Sequence, residues 1–114
     1  MYNMVDLSFL EKFTNGNTTK MRRYISMYLS MAPETFERMH QNIKDKAWTE
    51  LAINAHSLKP QSDFVGISTL KELLIEIENK VKSDQTEGVE ALFIKAKSIH
   101  DESEVFLQDF MGNV

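Results

Sequence analysis

The chain reads as all-α, and three observations carry that reading. Glycine and proline are scarce, four and two among 114 residues. Apolar residues recur at steps of three and four over most of the length, the spacing of one helix face. The polar stretches between those runs are short. Together they predict an antiparallel four-helix bundle with a short additional N-terminal helix, forming a single domain over residues 1–114. At 42% hydrophobic and 26% charged residues, the composition is that of a globular chain.

Taken in order, Asp6 is placed to cap a short helix through about Phe13, and Thr14–Asn17 ends it, with Gly16 suited to a left-handed turn. From Thr18 the apolar positions are Met21, Tyr24/Ile25, Tyr28/Leu29, Ala32, Phe36, Met39 and Ile43. Pro33 interrupts this run, which predicts a kink or loosened turn near Leu29–Ala32 within one long helix. A short link, Lys44–Ala47, leads to a stripe of Trp48, Leu51/Ala52, Ala55, Leu58, Ser62 and Val65, and Gly66 ends or bends that helix. The next runs from about Ser68 to Lys82, with Thr69 and Glu72 spaced as a capping box and Ile67, Leu70, Leu73/Leu74, Ile77 and Val81 facing inward. After the polar turn Ser83–Gly88, the last helix carries Val89, Leu92/Phe93, Ala96, Ile99, Ser103, Phe106/Leu107 and Phe110.

Several function classes fall away. Without cysteine there is no disulfide, thiol nucleophile or Cys-based zinc site, which fits a reducing compartment. The N-terminus lacks a basic start followed by an apolar run, and no apolar stretch approaches the roughly 20 residues of a membrane span. The net charge of −4 argues against nucleic acid, since the one basic cluster, Lys20–Arg23, is short. A cytoplasmic location without membrane attachment is expected. The four glycines are scattered, so no glycine-rich nucleotide loop assembles and autophosphorylation from ATP is not expected. A di-metal or hydrolytic bundle needs paired Glu-x-x-His motifs, and only Glu37–His40 is present, so no metal site is expected. His40 and His100 have no ligand or base at a characteristic spacing, and His100 lies near the inner stripe of its helix.

His56 stands apart. It flanks the stripe through Ala55 and Leu58, so its ring should reach solvent, and Lys59 follows one helical turn later. A cation there disfavours the imidazolium and keeps a ring nitrogen nucleophilic. Pro60 has no N–H to offer the carbonyl of His56, so the helix is loosened at the histidine's own turn. The same proline could instead serve only to bend the helix along the bundle.

The stretch "AHSLKPQSDFVG" resembles the signature of the histidine-containing phosphotransfer (HPt) domain family. His56, Leu58, Lys59, Ser62 and Gly66 fall on its pattern without a gap, and the layout of "DLSFLEKF", "YLSMAPETFERM" and "KAWTELAINAHSLK" is similar as well. Pro60 stands where that family usually has glycine, and Asp63 where a small residue is common. The resemblance implies a phosphorelay carrier. His56 would accept a phosphoryl group from a receiver-domain aspartate and pass it to another receiver, and Lys59 would stabilise the phosphoryl. Ile53, Pro60 and Gln61 are expected at the docking surface. Asp63, also at that surface, would either pair with Lys59 or repel the incoming group. Gly66 would be structural. No cofactor is expected in the chain itself, Mg²⁺ coming with the receiver. Partners would be response-regulator receivers and a hybrid sensor kinase, and the chain would act as a monomer. The rival reading is a helical adaptor that docks such partners without taking the phosphoryl group.

Overall fold

The computed structural model describes residues 4–112. Five helices follow in order: α1 (Ser8–Phe13), α2 (Thr18–Lys44), α3 (Trp48–Phe64), α4 (Ser68–Lys82) and α5 (Val89–Gly112), with no strand among the described residues. The four long helices pack around one apolar core, α3 lying against α2 and α4, and α5 against α4 and α2. The all-α four-helix bundle with a short N-terminal helix is therefore the observed fold.

The predicted stripes are the buried faces. Ile25, Tyr28, Phe36 and Met39 of α2, Leu51, Ala55 and Leu58 of α3, Leu70, Leu74 and Ile77 of α4, and Ala96 and Leu107 of α5 are fully enclosed. At roughly 25 cal/mol per Å² of apolar surface removed from water, enclosing each large side chain contributes about 1.5–3 kcal/mol. α2 runs through Pro33 as one helix, and the Thr35 hydroxyl donates to the Met31 carbonyl just beyond the expected loosened turn (3.0 Å).

Two end signals read differently in the structure. Thr69 and Glu72 do not form a capping box: α4 starts at Ser68, its N-cap is the buried Ile67, and no side chain caps it. Burial of Ile67 in the core fixes where this helix begins, and tertiary packing overrides the local signal. Asp6 acts just outside α1, whose N-cap is Leu7, its carboxylate accepting from the Ser8 N–H (2.9 Å).

Gly66 ends α3 for two reasons. Its φ of +75° is a conformation that a side chain disfavours. A Cβ there would also lie 1.6 Å from the Asp6 carbonyl oxygen, because the N-terminal segment crosses the α3–α4 turn at this point. The Asp6 N–H donates to the Gly66 carbonyl in the same crossing (2.9 Å).

Candidate functional site

His56 sits on the outer flank of α3 with 67% of its side chain exposed. Its neighbours Ala55 and Leu58 are buried, so the helix is anchored immediately beside a ring that faces solvent. The ring is fixed at one atom. Nδ1 lies 3.1 Å from Glu78 Oε2, and Glu78, on α4, is 4% exposed. Such a carboxylate needs partners, and two lysines supply them: Lys59 Nζ lies 2.7 Å from Oε1, and Lys82 Nζ 2.7 Å from Oε2. Burial alone would raise the Glu78 pKa, but hydrogen bonds and charge from Lys59 and Lys82 overcome it and bring it down to about 2. An ionised carboxylate only accepts, so Nδ1 of His56 must carry its proton. In the neutral ring the free lone pair is then on Nε2, which makes no hydrogen bond or ion pair among the described residues.

The charged cluster borders a hollow of about 500 Å³ between α3 and α4, lined by Thr49, Ala52, Ile53, His56, Ser57, Glu78, Val81 and Lys82. Of the residues expected to surround the histidine, Ile53 (62% exposed) and Pro60 stand in solvent on either side of it. Gln61 faces elsewhere, lining a groove with Arg23, Met27 and Met31 of α2. Asp63 does not pair with Lys59. It reaches Lys71 on α4 (3.3 Å), because Lys59 is drawn to the buried carboxylate of Glu78. Pro60 lies inside α3, which continues to Phe64.

Glu78 and Lys82 escaped the sequence reading. The available signal was a glutamate next to the inward Ile77 and followed by lysine at i+4, but 22 residues separate it from His56 in the chain. The other histidines have different surroundings. His100 is 1% exposed, packs 4.8 Å from Phe36 between ring centroids, and takes the Tyr28 hydroxyl at Nδ1 (2.7 Å). Burial lowers its pKa, with Glu104 and Asp101 pulling partly the other way. His40 is exposed, with its ring 6.0 Å from Phe93. No metal-holding cluster is found among the described residues, and no described helix is long and apolar enough to cross a membrane.

The fold and site together define a class of protein: a helical bundle with a solvent-exposed imidazole held at Nδ1 by a buried, ionised carboxylate. The family model of the Hpt domain matches residues 23–109, more than half of the chain, and the chain belongs to the Hpt domain family. Among solved structures it is similar to histidine-containing phosphotransfer protein B from Pseudomonas aeruginosa PAO1 (TM-score 0.91, 14% identity, 100% of this chain and 99% of that one). It is also similar to the HPT domain of an Hpt sensor hybrid histidine kinase from Shewanella (TM-score 0.86, 18% identity, 97% of this chain and 96% of that one). At these identities the likeness is one of fold. Comparison with curated protein sequences returned no match.

Proposed function

We propose that this domain is a phosphorelay carrier that takes a phosphoryl group from the phospho-aspartate of a receiver domain onto Nε2 of His56 and passes it to a second receiver. The observation that carries this reading is the exposed imidazole whose Nδ1–H is held by an ionised, buried glutamate. The Nε2 lone pair attacks phosphorus in line, the acyl phosphate P–O bond breaks, and the donor leaves as a carboxylate. The Nδ1 proton stays on the ring, and positive charge developing on the imidazole is met by Glu78. A hydrogen bond to a charged group of this kind contributes about 1.5–3 kcal/mol. Because phosphoryl transfer depends on positioning and charge compensation more than on covalent help, a fixed ring and a local surplus of lysine suffice on this side. Mg²⁺ is supplied by the receiver.

Lys59 stabilises the phosphorylated site through Glu78, keeping the carboxylate ionised and oriented. Ile53 and Pro60 bracket His56 as apolar docking contacts, with Asp63 towards the edge of the covered area and Gln61, turned to the α2 groove, outside it. The chain works as a monomer in the cytoplasm, where receivers and the kinase domains that feed them act.

The test is incubation with a phosphorylated receiver and Mg²⁺, without ATP. Label on this chain that is acid-labile, alkali-stable and absent from His56→Gln is the expected result. Binding to a panel of receivers without any label would overturn the reading and leave an adaptor.

A further inference from the structure

The three groups around Glu78 are not equivalent, and their differences assign a role to Lys82. Resting on the acceptor reading of His56, we propose that Lys82 is the cation that meets the phosphoryl group on the phosphorylated histidine, with Lys59 remaining on Glu78.

Three observations lead there. The first is which oxygen each group holds. Lys82 Nζ and His56 Nδ1 share Oε2, whereas Lys59 alone among the described residues holds Oε1. If Lys59 left, one buried carboxylate oxygen would lose its partner, a loss that is expensive for a charged group. If Lys82 left, Oε2 would keep the Nδ1–H, and Glu78 would keep Lys59.

The second observation is freedom to move. The Lys82 side chain is 63% exposed and that of Lys59 only 23%. A flexible, mostly solvated ammonium can turn towards a neighbouring group without dragging the core with it.

The third is the local field. Lys82 is the last residue of α4, the end at which the helix dipole concentrates partial negative charge. A phosphoryl dianion arriving beside that helix end is repelled unless a cation stands between them. Two lysines against one carboxylate leave one positive charge over, and Lys82 is the one that can be released.

The experiment labels His56 with phosphoramidate, a small donor that needs no docking, and follows the phosphoryl ionisation by ³¹P NMR titration. A cation beside the phosphoryl group lowers its second pKa. Lys82→Ala is therefore expected to raise it by about 1 unit, Lys82→Arg to restore it, and Lys59→Ala to move it less than Lys82→Ala does. A titration unmoved by Lys82→Ala, or moved mainly by Lys59→Ala, overturns the assignment. Wild type that takes no label from phosphoramidate or from receivers overturns it together with the acceptor reading. Label from phosphoramidate but not from receivers overturns the relay alone, and the titration still decides the role of Lys82.

Discussion

His56 and His100 are the same side chain on two helices of one bundle, and each has its Nδ1 engaged. At His56 the partner is a buried anion and the ring is in water; at His100 the partner is a buried phenol and the ring lies against Phe36. The first arrangement leaves Nε2 open to a partner. The second encloses the ring and disfavours its charged form. Tyr28 is likewise pushed up by burial, with Glu104 and Asp101 adding to it, so its hydroxyl stays protonated and donates to His100. What separates the two histidines is the polarity of what holds Nδ1 and whether the ring meets solvent.

The sharpest test of that contrast is labelling. His56→Gln should abolish phosphoryl acceptance, whereas His100→Gln should leave the labelling of folded molecules unchanged; loss of label in the second variant would break the comparison. Next comes Glu78→Gln, which keeps the shape and removes the anion. Transfer from a receiver is expected to slow about ten- to a hundredfold, corresponding to about 1.5–3 kcal/mol, as read by rapid-quench labelling.

Stability separates the two regions further. His100→Phe leaves the Tyr28 hydroxyl buried without its partner and should cost about 1–3 kcal/mol in urea melts; Tyr28→Phe combined with His100→Phe should recover most of it. The pH windows also differ. Since His100 has a lowered folded pKa, the unfolded chain takes up its proton first, and stability falls as pH drops below the ordinary imidazole value of about 6.5. Glu78 acts in a lower window: its contribution is complete above the ordinary carboxylate value of about 4.5 and is lost as pH falls towards about 2. The Tyr28/His100 double variant should flatten only the upper limb of a stability-versus-pH curve. The smallest effect is expected at Asp63→Asn, which removes a pair with Lys71 whose side chains are 57% and 40% exposed; the change should stay within about 1 kcal/mol.

Much of this was legible in the sequence because it is periodic. The inward stripes of α2 to α5 could be read from spacing, since burying one face of a helix demands apolar residues every three or four positions. His56 was legible as a flank residue for the same reason, and Gly66 by its place after the motif. What could not be read is what depends on two helices meeting. Glu78 is one residue off its stripe, a position where a glutamate is ordinarily solvated, and only the packing of α3 on α4 turns it into the anchor of the site. That anchor then draws Lys59 away from Asp63, so a pairing inferred within one helix gives way to two pairings across helices. The same held at the start of α4, where Ile67 entering the core outweighed the Thr69–Glu72 signal.

The backbone crossing at Gly66 has a consequence for the order in which the molecule comes together. Asp6 can fasten only onto a turn that already exists, and it closes a long loop of chain to do so. The segment carrying α1 is thus expected to join last and to release first, as a latch on the finished α3–α4 hairpin. In native-state hydrogen exchange the Asp6 amide should open at a lower free energy than the amides of Leu74 and Ile77. Equal protection would mean that the latch and the bundle are one cooperative unit.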